Sequence, residues 1–202
     1  MTRSERAGLG VRCHSGWAAY VALGGRPQAP ELLERGRVVL CDPGMKGSKQ
    51  PYHEVKPMNL RAADEFIQTC RKASERQAEQ AFSELKRRHG RVMACCLLDA
   101  SGRRLPGLAE ILGSHALIHA AEGEFYRNVV QAACTDAGMS VQRVRERDLE
   151  AVAECLPGTA ENRRRRLEGF GKNVGPPWRQ DEKMAALSAW LALAAHLTQK
   201  RL

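Results

Sequence analysis

The sequence predicts an α/β chain: a mixed five-stranded sheet flanked by helices. Three observations carry that prediction. Residues 8–23 form an apolar stretch that alternates at its start and breaks at Gly16, which is a hairpin pattern. Residues 60–89 repeat apolar side chains at helical spacing for eight turns. Residues 91–98 are a short continuous apolar run, the pattern of a strand covered on both faces. Hairpin strands followed by alternating strands and helices make a mixed sheet with helices packed against it.

The elements follow in order. Leu9, Val11 and Cys13 alternate with Gly10, Arg12 and His14, giving a first strand, and residues 17–23 give a second, ended by Gly24-Gly25-Arg26-Pro27. Residues 34–42 read as a third strand stopped by Pro43-Gly44. Residues 45–60 carry Gly47, Pro51 and Pro57 without a period and read as a basic loop with Lys46, Lys49 and Lys56. Asn59 caps the long helix and Gly90 ends it. Asp99 stands at the carboxyl end of the central strand. A connection over 105–113 leads to a helix from about Ser114 to Ala137, then a strand over 139–144 and a short helix over 148–155. Residues 157–177 read as a flexible basic segment, and a last helix covers 182–198 with Asp181 as its cap. The organisation is one domain over 1–202, with a core in 8–156 and 178–202.

Composition narrows the function. Of 202 residues, 43% are hydrophobic and 27% charged, as in a folded domain. No stretch reaches the roughly 18 apolar residues that span a bilayer, and residues 1–12 lack the apolar run of a signal peptide, so the expectation is a cytoplasmic protein with no membrane partner. The seven cysteines include no CxxC pair and sit mostly in apolar runs, which reads as buried free thiols in a reducing compartment. A net charge of +9 favours an anionic partner, nucleic acid first; simple solubility is the bland alternative. No Walker-type loop, dinucleotide fingerprint or GxSxG elbow is present.

Three segments carry candidate chemistry. In 113–127, His115, His119 and Glu122 fall at i, i+4 and i+7 on one helix face, a spacing that suits a metal held by two imidazoles and a carboxylate, or a general base beside an acid. The alternative is a hydrogen-bonded polar seam with Glu122 paired to Arg127. Gly123 inside that helix costs about 1 kcal/mol relative to alanine and marks a close approach. A second segment, Arg163, Arg164, Arg165 and Arg166 with Lys172, Trp178 and Arg179, joins phosphate-neutralising cations to a ring that can stack on a base; the alternative is a solvated charge run. Tyr52, His53 and Lys56 form a third, in the other basic loop. His14 stands in the first strand, where the bland reading is an ordinary hydrogen-bonded strand histidine.

The hairpin over 11–20, the buried strand over 91–99 with its following helix and strand, and the alanine-rich last helix Asp181-Glu182-Lys183-Met184-Ala185-Ala186 resemble the ribonuclease H-like superfamily, in its Holliday-junction resolvase branch. The resemblance implies a metal-dependent nuclease using Mg²⁺ or Mn²⁺ on structured or branched DNA or RNA, and leaves room for a homodimer. Two cations about 3.5–4 Å apart clamp the attacking and leaving oxygens in such chemistry, and hard ions take carboxylates. By that resemblance Asp99, Glu122 and Asp181 are the catalytic and metal-holding acids, with Glu124 and Glu182 as further candidates; the helix spacing, not the resemblance, adds His119 as a catalytic group and His115 as a ligand. The family's first-strand acid has no counterpart: Cys13, His14 and Ser15 occupy its place, and the resemblance puts His14 near the centre of the sheet as a ligand or base in that acid's stead. The alternative reading is therefore a catalytically inactive module of the same fold that binds nucleic acid or a partner protein.

Overall fold

The computed structural model describes residues 6–90, 92–100, 102 and 104–198. Its centre is a mixed five-stranded sheet of β1 (Ala7–His14), β2 (Trp17–Arg26), β3 (Ala29–Val39), β4 (Val92–Asp99) and β5 (Ser140–Arg145), in the order β3-β2-β1-β4-β5. Hairpins make β1–β2 and β2–β3 antiparallel, whereas β1–β4 and β4–β5 are parallel and need helical crossovers. Among the described residues no helix is long and apolar enough to cross a membrane.

Strand alternation sorts the core into two layers. Leu9, Val11, Cys95 and Leu97 pack with helices α2 (Leu60–His89) and α4 (His115–Asp136) on one face. Cys96 and Leu98 pack with α6 (Ala160–Val174) and α7 (Gln180–Thr198) on the other. Between β1 and α7 the approach is very close, because Gly8 and Gly10 face the helix and have no side chain. A Cβ on Gly10 would stand 1.9 Å from the Ala185 carbonyl oxygen, and one on Gly8 would stand 2.3 Å from the Leu193 nitrogen.

Asn59 accepts a hydrogen bond from the Ala62 amide, and Gly90 closes α2 in the left-handed conformation, as its type allows. The loop expected over 45–60 holds one helical turn, α1 (Pro51–Glu54), started by proline at its first position. A five-residue helix, α3 (Leu108–Leu112), leads into α4. A single helical turn, α5 (Leu149–Val152), follows β5 between two 3-10 turns. The segment 157–177, expected without regular structure, differs most. It contains α6, capped by Thr159 and anchored by Leu167 and Phe170 in the core. Arg163, Leu167 and Phe170 recur on one face, and Arg163 is buried with its guanidinium on the Leu156 and Gly158 carbonyls. The four arginines masked that period because a buried arginine satisfied by carbonyls reads as polar in sequence.

The far end of α2 is pinned to the sheet through Glu34. That carboxylate meets Tyr20 Oη at 2.5 Å, His89 Nε2 at 2.5 Å and Arg88 Nη2 at 2.8 Å. Burial would raise its pKa, but bonds from Arg88, Tyr20 and His89 outweigh burial and hold it at about 2. A lowered carboxyl contributes stability above its ordinary value of about 4.3 and loses it as pH falls towards the folded value. The melting temperature is therefore expected to fall from about pH 4.3 downward, and Glu34→Gln to flatten that fall. Parallel melting curves for the two proteins over that range would remove Glu34 as the cause.

Candidate functional site

The parallel strands β1, β4 and β5 end at one edge of the sheet, where open α/β sheets commonly place their ligands. Two charged clusters lie there, one on each face. On the α7 face, Arg12 donates through Nε and Nη2 to both oxygens of Glu146, each at 2.8 Å, and through Nη1 to Asp181 at 2.5 Å. His14, two residues along β1, reaches the same Asp181 oxygen from Nε2 at 3.0 Å. Its ring stacks on Trp17 with centroids 4.2 Å apart, and Arg37 lies over Trp17 at 4.3 Å. Burial would raise the Asp181 carboxyl, but His14 and Arg12 together hold it below the ordinary carboxylate value.

Asp181 does not cap α7. The amide of Arg179 donates to Glu182 at 2.8 Å, while the Arg179 carbonyl takes the Lys183 amide, a capping arrangement that uses Glu182. Asp181 sits one position before, turned to Arg12 and His14. Glu182 is buried and also lies 3.7 Å from Arg37.

On the α4 face, Asp99 at the end of β4 lies 3.3 Å from Arg127 Nε and 3.2 Å from Arg143 Nε. Arg143 also forks onto Glu124 through Nη1 and Nη2, each at 2.9 Å, and Arg127 Nε donates to Glu124 at 3.1 Å. Gly123 makes room for this network: a Cβ there would sit 2.9 Å from Arg127 Nη1. Asp99 and Asp181 are thus separated by the sheet, each in an arginine-neutralised pair. Glu122 lies apart from both, on α4. The acids expected to gather around Mg²⁺ or Mn²⁺ are not one donor set, and a guanidinium stands beside Asp181 where a divalent cation would be repelled. These residues do not fit a carboxylate-held metal pair.

A different metal-ligating group is assembled beside α4. His53 from α1 joins His115 and His119, with one ligand nitrogen of each within 4.8 Å of the others. The three rings meet edge to face at centroid distances of 5.7, 4.7 and 4.4 Å. Three histidines so placed can coordinate a divalent cation. His115 and His119 come together as their i, i+4 spacing requires. His53 was placed by sequence with Tyr52 and Lys56 in a basic loop, and no local pattern marks it as the third member.

Glu122, the acid read beside the two histidines, is buried under α1. One oxygen, Oε1, accepts from the Tyr52 amide at 2.8 Å, the His53 amide at 3.0 Å and His53 Nδ1 at 3.2 Å. The other, Oε2, is buried with no hydrogen bond among the described residues. Burial pushes the Glu122 carboxyl up to about 7, against the opposing amide bonds of His53 and Tyr52 and the nearby His119.

The expected nucleic-acid residues divide in the same way. Arg164, Arg165, Arg166, Lys172 and Arg179 are exposed on or beside α6, in the α7 layer, with Arg164 and Arg165 both on Glu161. Arg163 points inward and is a structural residue. Trp178 packs edge to face on Phe170 and over Gly171, so its ring is committed to the core of that layer. Lys56 is exposed after α1, in the opposite layer, and is not part of the α6 surface.

Comparison with known proteins brings the fold into focus. The chain is similar to Thermus thermophilus RuvC, with a TM-score of 0.56 and 12% identity over 95% of this chain and 96% of that one. The fold is ribonuclease H-like. A second structure, T. thermophilus RuvC in complex with Holliday junction substrate, is similar with a TM-score of 0.54 and 12% identity over 97% and 96% of the two chains. No family model and no curated protein matches. The resolvase resemblance read from strand order holds at the level of the fold.

Proposed function

We propose that this chain is a nucleic-acid-binding protein on a ribonuclease H-like fold, which grips structured or branched nucleic acid without cutting it at the strand ends. The observation that carries the second half is Arg12, held between Glu146 and Asp181. Fold likeness over nearly the whole chain to a resolvase determined with its junction, and a net charge of +9, support the first half. The exposed cations of α6 are the gripping surface: Arg165, Arg166 and Lys172 approach phosphates, and Arg163 and Thr159 hold the helix in place. Seven free thiols support a cytoplasmic setting.

The test is titration of labelled four-way DNA, single-stranded DNA and RNA–DNA hybrid at several salt concentrations. Wild-type protein should bind with affinity that falls steeply with salt. Arg165→Glu with Arg166→Glu should weaken binding about tenfold or more and lower the salt slope by roughly one to two. No salt-sensitive binding to any of the three would overturn the proposal.

A metal-dependent nuclease is the second reading, favoured by the histidine cluster. It requires cleavage that depends on added cation and disappears in His119→Ala. Cleavage lost in Asp181→Asn but kept in His119→Ala would instead place the chemistry at the strand ends and sink the first reading.

A further inference from the structure

The geometry points to a transition-metal site of the Zn²⁺ class at His53, His115 and His119, with Glu122 as the buried residue that orients His53 and open coordination positions facing solvent. This goes beyond the nucleic-acid reading and does not depend on it.

Metal–imidazole bonds of about 2.0–2.1 Å put neighbouring nitrogens of a tetrahedral centre about 3.3 Å apart. The three nitrogens stand within 4.8 Å, so small rotations of exposed rings close the set. Two of the ligands share a helix face one turn apart, and the third is delivered by a helical turn whose position is fixed from below. That fixing is the independent observation. Glu122 takes the backbone amides of Tyr52 and His53 and also His53 Nδ1. With Nδ1 committed to the carboxylate, Nε2 is the His53 nitrogen left for a metal. Metal-bound histidines usually donate their other ring N–H to such an oxygen, which fixes the tautomer and strengthens the ligand.

Glu122 is 1% exposed, and its Oε2 has no hydrogen bond among the described residues. Burying a carboxylate with one unsatisfied oxygen is costly unless a positive charge balances it. A cation held one imidazole away supplies that charge. The donor set chooses the ion: three neutral imidazoles suit Zn²⁺, Co²⁺, Ni²⁺ or Cu²⁺, whereas Mg²⁺ asks for hard oxygen ligands. His115 and His119 are exposed, so protein ligands close only one side and the remaining positions go to water or to an anionic group such as a phosphate oxygen.

The full chain, stripped with chelator, is titrated with Co²⁺ followed by visible absorption and with Zn²⁺ and Mg²⁺ by calorimetry. Expected is saturable binding of about one Zn²⁺ or Co²⁺ per chain, with a Co²⁺ spectrum of nitrogen-ligated low-coordinate type, and no comparable uptake of Mg²⁺. His115→Ala and His119→Ala, both at exposed positions where folding is undisturbed, should each lower affinity at least a hundredfold. Glu122→Gln should lower it about 10- to 100-fold while keeping the Co²⁺ spectrum; circular dichroism checks that this variant folds. Absence of saturable Zn²⁺ or Co²⁺ binding overturns the site, as does binding that survives His115→Ala and His119→Ala. Loss of metal binding with nucleic-acid binding intact, or the reverse, separates this inference from the proposed function.

Discussion

Gly10→Ala is expected to destabilise the protein by about 3 kcal/mol or more, enough to lower the melting temperature by roughly 10 °C. The new methyl would be placed 1.9 Å from the Ala185 carbonyl oxygen and 2.4 Å from the Ala189 nitrogen. Both atoms are backbone, so no side-chain rotation relieves the clash. Helix α7 would have to lift off β1 along its length, and Ala185, Ala189, Trp190 and Leu193 would lose contact with the sheet. Gly169→Ala is the matched control. That glycine lies inside α6 with nothing within 4 Å of a new Cβ, so alanine there should be neutral or stabilise by up to about 1 kcal/mol through helix propensity. Thermal unfolding of the three proteins decides the matter. Equal melting temperatures for wild type and Gly10→Ala would mean that α7 does not rest on β1 this closely.

The same glycines show what the sequence could and could not disclose. Gly10 enters the sequence only as one polar step in the alternation of β1, and Gly8 as the start of an apolar stretch, yet both are used for helix-on-strand contact. The alternation of β1, the thirty-residue helix with its Asn59 cap and Gly90 end, and the buried run of β4 were readable, because each rests on a local period or a local cap. The ribonuclease H-like layout followed from their order. The candidate site was only half readable. His115 and His119 declared themselves by spacing on one helix, but His53 joins them only through the fold, and nothing near it in sequence signals a ligand. Glu122 lies in the neighbourhood its spacing gave it, with one oxygen on the amides of Tyr52 and His53, partners that no local pattern announces. The resemblance groups Asp99 and Asp181 because it implies clustered acids, one at the end of β4 and one in the first turn of α7. Strand alternation turns Asp99 to the α4 face, while α7 carries Asp181 on the other, a fact of register and packing that a list of acids does not contain. The arginine run hid a helix for a related reason, since Arg163 is polar by type and buried by position.

Arg12 supplies the second large effect. Its side chain is 17% exposed and its three donor nitrogens are all spent, two on Glu146 and one on Asp181. Arg12→Met preserves much of the aliphatic stem and removes the charge. Among the described residues Asp181 then keeps His14 as its side-chain partner, and Glu146 loses both of its bonds from Arg12. Removing one member of a largely buried ionic network costs about 3–5 kcal/mol when burial is complete, and about 2–3 kcal/mol is expected for this partly exposed one. The loss should also change with pH. Asp181 is held below its ordinary value by His14 and Arg12, so its stabilising contribution is present above about pH 4 and fades as pH falls; without Arg12 part of that contribution is gone at neutral pH, and the two proteins should converge in acid. Denaturant unfolding at neutral and acid pH measures both. A constant difference across pH would show that Arg12 acts through packing alone. The comparison with Arg12→Asp is sharper still. It puts a carboxylate beside Asp181 and Glu146 in the absence of their cation, so three acids repel one another and stability should fall further than in Arg12→Met. Added Mg²⁺ should recover only part of the loss, because Asp99 remains across the sheet in its own arginine pair. Full recovery of wild-type stability by millimolar Mg²⁺ would mean that a competent carboxylate metal site needs only this one arginine removed.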